Sequence, residues 1–335
     1  MEKILFLSHT EKDGFLSAHA LEALGAAAQL REQMGGDLVV GLFGGRVETA
    51  QVRGAVYSVS GDAFAMARYA TDAAAGEQIC KAAAATIVIA PGTSRMSRAF
   101  SGIAARCGAS VDSHVTGLEV KDGALIITRW YYRQRLQARM TRASRPWFLS
   151  IDSGVFAPFA DAGDTVIERL ESPVDASLTR TVVKGIQAPH TDAQTIKPDA
   201  MTLFVAGAGW TKKQSDGRPH VREAADLILG FLQKSGASLG STKSLVDLQG
   251  EGQEVLPFMT HLNQVGQTGS TPRHQKGLAA CCHGEEPHVV GWRFINERRA
   301  INLDANCGWA RGKADVLYVA DAFQVMELVN ELLSE

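Results

Sequence analysis

The chain has 335 residues, and 34 Lys+Arg face 36 Asp+Glu for a formal net charge of -2. This balance excludes a general nucleic-acid binder, which is usually basic, and no apolar run approaches the ~20 residues that span a bilayer. The five cysteines are odd in number and lack the spacing of a disulfide framework. With no signal or transit segment, reduced thiols in the cytoplasm are expected. The length predicts two domains, because single cores stop growing near about 250–300 residues.

The first part of the chain alternates apolar runs with Ala- and Leu-rich helical segments. The pattern predicts strands over 3–8, 37–43, 55–59 and 86–90, and helices over 15–34, 71–85 and 94–107. Strands and helices in this order predict a parallel sheet built from right-handed βαβ units.

Residues 123–151 lose the helical period and are rich in β-branched and aromatic side chains. We expect antiparallel strands here, added to the first domain. This stretch also carries Arg129, Arg133, Arg135, Arg139, Arg142 and Arg145. These arginines form either a basic face for an acidic partner or an ordinary solvated strand face, and the second interpretation is favoured.

Residues 155–200 contain four prolines and little periodicity, which predicts an inter-domain connection with one strand over 178–183. A second α/β block follows. Its predicted strands cover 201–206, 244–248, 277–280, 299–303 and 315–319, and its predicted helices cover 220–233 and 323–333.

Glycine-rich turns follow apolar runs in this second block, at Gly207 to Gly209, at 264–269 and at 282–284. Glycines at strand ends let the backbone approach a phosphate or a planar ring closely. Together the turns predict a nucleotide-type cofactor at the carboxyl ends of the strands. A P-loop motif is absent, and no G-x-G-x-x-G follows the first strand, which disfavours a P-loop nucleotidase and an ordinary NAD-dependent dehydrogenase.

The run Cys281-Cys282-His283, with His288 and Cys307 further on, contains side chains of the types that bind a metal or form a nucleophile pair. Adjacent cysteines chelate one ion poorly, and the chain has no C-x-x-C pair. Neighbouring residues on a strand point to opposite faces, which disfavours a Cys282–His283 pair. The sequence therefore predicts neither a metal site nor a catalytic residue.

The segment 264–269 reads Q-V-G-Q-T-G, and it resembles the signature of the electron-transfer flavoprotein α subunit family, which includes FixB. The family's I-S-G-A-I-Q-H-L-A-G is matched in register by 282–291. Its A-I-N-x-D is matched by 300–304, and its A-D-Y-G followed by D-L-F is echoed by 314–317 and 321–323. The resemblance covers residues 201–333 well and the rest loosely.

The resemblance implies an α/β fold of two doubly wound domains. Residues 1–190 would form a sheet like that of adenine-nucleotide hydrolases with added antiparallel strands, and 191–335 a Rossmann-like domain that binds FAD. It implies Thr268 at flavin N5, His288 at flavin O2, Asn302 at the ribityl and phosphate region, and Asp315 at the adenosine ribose. The predicted cofactor-binding residues are Gly207, Gly209, Thr242, Lys243, Gln264, Val265, Gly266, Gln267, Thr268, Gly269, His283, Gly284, His288, Asn302 and Asp315.

Three positions depart from the family pattern. The family's G-G-R-G turn reads Gly207-Ala208-Gly209-Trp210 here, so its arginine is absent, and Lys212 or Lys213 would have to replace the charge. The flavin-facing arginine is Lys243, which keeps the charge but loses the planar fork. The serine of I-S-G is His283.

The resemblance implies an electron carrier. FAD would accept electrons from a flavoprotein dehydrogenase and pass them to a quinone reductase or a similar acceptor. The chain would pair with a β subunit that often holds AMP, and 185–200 would be the hinge of the flavin domain. The alternative is a flavin-poor structural subunit of a larger dehydrogenase complex, in which the altered site serves assembly or binds a plain adenine nucleotide.

Overall fold

A computed structural model describes residues 2–131, 136–185, 196–197, 199–247, 255–266, 271–281, 295–307 and 314–334. The chain divides into two compact units, Met1–Ile186 and Gln187–Glu335. Each unit contains its own mostly or wholly parallel sheet, so the predicted α/β class is confirmed. The predicted hinge over 185–200 falls almost entirely outside the described residues.

The first unit is built on one sheet with strand order β7-β6-β5-β8-β4-β1-β2-β3-β9. Among the described strands only β6 runs antiparallel to its neighbours. The strands are β1 Lys3–His9, β2 Asp37–Gly44, β3 Gly54–Ser60, β4 Ile87–Pro91, β5 Ser110–Lys121, β6 Ala124–Tyr131, β7 Leu136–Met140, β8 Trp147–Ile151 and β9 Thr165–Arg169.

Four helices accompany this sheet: α1 Ala18–Met34, α2 Asp62–Ala65, α3 Tyr69–Ala83 and α4 Ser94–Arg106. Alternate residues of β1 point to opposite faces, so Ile4 and Phe6 pack in one core with α1. Leu5 and Leu7 pack in a second core with α3 and α4. Burial of each such side chain stabilises the fold by about 1.5–3 kcal/mol. The continuous apolar run of β1 is thus explained by helices on both faces of the sheet.

Two sequence predictions for this unit are wrong. The strand at Trp147 was expected to be antiparallel, but β8 lies between β4 and β5 and is parallel to both. The predicted strand over 178–183 is absent, because 176–181 forms turns. The sheet gains β9 instead, whose exposed and mostly polar residues gave no apolar signal.

The second unit is a parallel sheet with strand order β11-β10-β12-β13-β14. The predicted strand over 244–248 is wrong where it is described, since 243–247 is helical. The elements are β10 Thr202–Ala206, α5 Val221–Ser235, β11 Ser238–Ser241, α6 Lys243–Asp247, β12 His274–Ala280, β13 Ile295–Asn302, β14 Val316–Val319 and α7 Ala322–Leu332.

The strand order of the second unit creates a topological switch point. The chain moves from β10 to β11 on one side and later returns to the other side of β10 as β12. In open α/β sheets, ligands bind in the crevice outside the carboxyl ends of the strands at such a point. The crevice between the carboxyl ends of β10 and β12 is therefore the expected position of a ligand site.

No helix in the described parts of the chain combines the length and the apolar character needed to cross a membrane.

The arginines of 129–145 that the structure describes are held by acidic groups of the same unit. The Asp112 carboxylate, only 1% exposed, accepts hydrogen bonds from Arg129 Nη1 at 2.5 Å, Arg142 Nε at 2.6 Å and Trp147 Nε1 at 2.8 Å. Burial alone would raise the pKa of Asp112, but the hydrogen bonds from Arg142 and Trp147 and the charge of Arg142 lower it below its ordinary value.

The other described arginines of this stretch are paired as well. Arg139 contacts Glu119 across the exposed sheet surface, and Arg145 donates to Glu2 Oε1 at 2.6 Å. Four of the six arginines therefore have carboxylate partners within the first unit. This favours the strand-face interpretation for them, while Arg133 and Arg135 lie outside the described residues.

Asp112→Asn is expected to lower the free energy of unfolding by about 3–5 kcal/mol, because it leaves two partly buried guanidinium groups without their carboxylate. Urea unfolding at neutral pH, followed by circular dichroism, measures this. Because the folded pKa of Asp112 is lowered, its contribution is complete above the unfolded value near about 3.9 and is lost as the pH falls through the folded pKa. The difference in free energy of unfolding between wild type and variant should therefore become smaller in acid.

Glu119→Gln, on the same strand, is the matched control. Its side chain and that of Arg139 are both more than half exposed, so the change should cost less than about 1 kcal/mol. Equal costs for the two variants would contradict the role given to Asp112.

Candidate cofactor site

The switch point is closed by backbone hydrogen bonds from two predicted site residues. Gly207 N–H donates to the Ala280 carbonyl at 2.9 Å, and Gly209 N–H donates to the Cys281 carbonyl at 2.8 Å. These bonds tie the turn after β10 to the end of β12. Both glycines thus lie at the crevice, but their amides are already used and are not available to hold a phosphate.

The turn that lacks the family arginine ends in a residue of the core. Trp210 is fully buried, and its ring centroid lies 4.7 Å from that of Phe323 and 6.5 Å from that of Phe204. The indole therefore packs beneath the turn. The lysines that follow, Lys212 and Lys213, are exposed.

The end of β11 supplies polar groups on one side of the crevice. Thr242 N–H donates to the Ala206 carbonyl at 2.9 Å, which holds this end beside β10. Lys243 begins α6, and its ammonium pairs with Asp247 one turn later. The hydroxyl of Ser241 is buried and has no hydrogen-bond partner among the described residues. An orphaned hydroxyl costs free energy unless something satisfies it.

The Q-V-G part of the signature runs alongside β11. Gln264 forms a parallel bridge with Ser241, and Val265 N–H donates to the Ser241 carbonyl at 3.0 Å. Gly266 has φ of 85°, a conformation that glycine adopts readily. Its N–H donates to Thr271 Oγ1 at 2.7 Å. This bond joins Gly266 to Thr271 next to the end of β11, while residues 267–270 lie outside the described residues.

The ends of β13 and β14 supply polar groups on the other side. A small pocket is lined by Gln214, Cys281, Asn302, Ala320, Asp321 and Phe323. Asn302 is 2% exposed, and its Oδ1 accepts from Asp304 N–H at 2.9 Å. Asp321 follows β14 and caps α7, accepting from Phe323 N–H at 2.8 Å. Burial and the charge of Asp321 raise the pKa of Cys281 well above its ordinary value, so its thiol stays neutral.

The structure does not bring Asp315 to this edge. Asp315 precedes β14, and its carboxylate accepts from the Arg298 N–H at 2.6 Å and pairs with the Arg298 guanidinium at 3.2 Å. At about 3.3 Å per residue, Asp315 and Ala320 lie roughly 16 Å apart, at opposite ends of the strand. The aspartate at the carboxyl edge is Asp321. The sequence prediction did not include it, although an aspartate between a strand and a helix could have indicated it.

The carboxyl edge brings together eight of the predicted residues: Gly207, Gly209, Thr242, Lys243, Gln264, Val265, Gly266 and Asn302. Six others lie outside the described residues: Gln267, Thr268, Gly269, His283, Gly284 and His288. Over the described ranges, no three His, Cys, Asp or Glu side chains are grouped as metal ligands would be.

The fold defines a protein of two α/β units, each built on a mostly or wholly parallel sheet, with a crevice at the switch point of the second. Residues 4–175 match the family of the electron transfer flavoprotein domain. The chain is 26% identical over 339 residues to the electron transfer flavoprotein subunit alpha of Clostridium acetobutylicum, covering 97% of this chain and 94% of that protein.

Two further relatives agree. The protein FixB of Clostridium saccharobutylicum is 26% identical over 336 residues, covering 96% of this chain and 92% of that protein. The electron transfer flavoprotein subunit alpha of Syntrophomonas wolfei is 28% identical over 217 residues, covering 64% of this chain and 62% of that protein. The chain belongs to the electron transfer flavoprotein family and, within it, to the alpha subunits.

Gly266→Ala is expected to lower the free energy of unfolding by about 1–2 kcal/mol, because an L side chain is strained at this positive φ. Urea unfolding measures the loss. Gly230→Ala, inside α5, is the control of opposite sign: its new methyl would meet Asn330 no closer than 3.4 Å. Helix propensity should stabilise this variant by up to about 1 kcal/mol. A neutral or stabilising Gly266→Ala would remove the strained turn from the site.

Proposed function

We propose that the second unit binds FAD at the carboxyl edge of its sheet and that the chain is the α subunit of an electron carrier. The observation that carries the proposal is the crevice at the switch point, with described signature residues on one side and Asn302 with Asp321 on the other. Four strand spacings of about 4.8 Å make this edge roughly 19 Å wide. An extended dinucleotide could therefore lie along it.

Asn302 and Asp321 suit the adenosine and phosphate part of FAD. Both lie at the small pocket beyond β13 and β14. A carboxylate accepts hydrogen bonds from the two hydroxyls of a ribose, and an amide both donates and accepts. Asp321 therefore takes the ribose role that the resemblance gave to Asp315.

The other side of the crevice suits the flavin ring. The orphaned hydroxyl of Ser241 would gain a partner from a bound polar ring edge. Lys243, two residues further on, pairs with Asp247, and its ammonium would favour the negative charge of a reduced flavin on turning from that partner to the ring. Thr268 lies outside the described residues, between Gly266 and Thr271 in the sequence, and for it we retain the contact at flavin N5.

FAD would supply the redox chemistry, taking up and passing on one or two electrons, and the protein would position it and set its electrostatics. Two of the three departures from the family pattern, the missing arginine and Lys243, affect how the protein would interact with the cofactor. Because Trp210 is in the core and the Gly207 and Gly209 amides donate to carbonyls at the end of β12, that turn would shape the cofactor site without the positive charge of the family arginine. Lys243 offers a point charge without the planar fork of an arginine.

The proposed partners follow the family. Residues 1–190 would contact a β subunit, possibly one that carries AMP, in a cytoplasmic heterodimer, and 191–335 would form the FAD domain. A flavoprotein dehydrogenase would be the electron donor, and a quinone reductase or a similar protein the acceptor. The four arginines paired within the first unit are assigned no partner.

A second candidate is a flavin-poor subunit of a larger dehydrogenase complex that binds a plain adenine nucleotide. The absence of the family arginine from the turn that ends in the buried Trp210 favours it. In this case adenosine would lie along the edge of the sheet beside Asn302 and Asp321, and the Lys243 side would hold no flavin.

Asp321→Ser is expected to weaken FAD retention about tenfold or more, because it removes the ribose-binding carboxylate while serine still caps α7. The protein is purified with its β partner, and the nucleotides released on denaturation are separated and quantified. This readout distinguishes FAD from a plain adenine nucleotide, and so it also separates the two candidate functions.

Asp315→Ser is the matched control, an identical change six residues away at the opposite edge of the sheet. It should leave FAD retention within about twofold of wild type, although the contact with Arg298 is lost. Loss of FAD from Asp315→Ser with full retention in Asp321→Ser would return the ribose role to Asp315. Loss from neither would remove both aspartates from the site.

A further inference from the structure

Two cysteine side chains of the first unit are in direct contact. Cys80 lies in the last turns of α3, and Cys107 directly follows the end of α4. Their side chains are neighbours, close enough for each thiol to affect the pKa of the other. The two helices flank β4 in the chain and pack in one apolar core that includes both residues. Both sulfurs are therefore held together by the packing of two long helices rather than by a loop.

The two thiols differ in exposure and in charge environment. Cys80 is 6% exposed, whereas Cys107 is half-buried. Interaction with the Cys80 thiol lowers the pKa of Cys107, and the charges of Lys81 and Arg106 add to this against the opposite effects of burial and Glu77. The same interaction, with burial, raises the pKa of Cys80. Cys107 is thus the more accessible and more easily deprotonated thiol, and Cys80 is the protonated neighbour behind it.

The other described cysteines are not arranged in this way. Cys281 and Cys307 belong to the second unit and are both buried. Neither of them is accessible as Cys107 is. The pair in the first unit also plays no part in the proposed flavin site.

We propose that Cys80 and Cys107 form a reversible intramolecular disulfide when a small organic disulfide acts as oxidant. A redox-active pair needs an accessible, low-pKa thiolate next to a resolving cysteine, and these two residues supply both parts. The site is a modification site separate from the flavin crevice, and it does not depend on the proposed function.

The reaction balances as two thiol–disulfide exchanges. The Cys107 thiolate attacks one sulfur of the oxidant, forming a mixed disulfide and releasing one small thiolate, which takes the proton of Cys80. The Cys80 thiolate then attacks Cys107 Sγ and releases the second small thiolate, which takes from the solvent the proton that Cys107 lost on ionisation. The two protein thiols lose two electrons in total, and the oxidant is reduced to two thiols.

Peptide mapping of the native protein after incubation with oxidised glutathione tests the proposal. Remaining thiols are blocked before denaturation, and trypsin should cut after Arg68, Lys81, Arg106 and Lys121. The expected result is one linked pair of peptides, residues 69–81 with 107–121, and a chain lighter by two hydrogens. Dithiothreitol should reverse both changes, and circular dichroism should show the fold unchanged.

Two serine variants separate the steps. Cys80→Ser should accumulate a stable glutathione adduct at Cys107, because the resolving thiol is gone. Cys307→Ser is the control and should form the 69–81 to 107–121 link like the wild type. A wild-type protein that keeps the adduct at Cys107 would contradict the proposal. So would a folded wild type in which both cysteines stay fully reduced.

Discussion

Two backbone hydrogen bonds at the turn after β10 fix the geometry of the crevice in the second unit. The amides of Gly207 and Gly209 donate to the carbonyls at the end of β12. These bonds join the turn to β12 at the point where the strand order reverses. The end of β11 and the signature segment must then lie on one side, and the ends of β13 and β14 on the other. The same bonds explain why this turn has lost its charged residue without losing its shape, since Trp210 fills the space beneath it.

The first unit depends on a different interaction, the buried carboxylate of Asp112. It draws Arg129, Arg142 and Trp147 to one point, where β5 and β8 are neighbours in the sheet. A charge placed there is tolerated only because its partners satisfy it. The described arginines of these strands are thus explained by carboxylate partners inside the unit. Positive and negative charges are paired here, as they are nearly equal in number over the whole chain.

The fold class, the order of most elements and the signature segment could be predicted from the sequence, because buried parallel strands carry long apolar runs. Short or exposed elements could not: β9 is mostly exposed and polar, and the apolar pair Leu245-Val246 belongs to a five-residue helix. Local pattern also failed to give strand direction for β8, which depends on neighbours distant in sequence. For the site, the family resemblance led to Asp315, yet strand polarity places Asp321 at the carboxyl edge with Asn302.

The central claim is that this carboxyl edge holds FAD. The most direct measurement is the absorption spectrum of the protein co-purified with its β partner, with quantification of the flavin released on denaturation. The account predicts a yellow complex with stoichiometric FAD for each α chain. A correctly folded, colourless heterodimer, or one that releases only a plain adenine nucleotide, would contradict it.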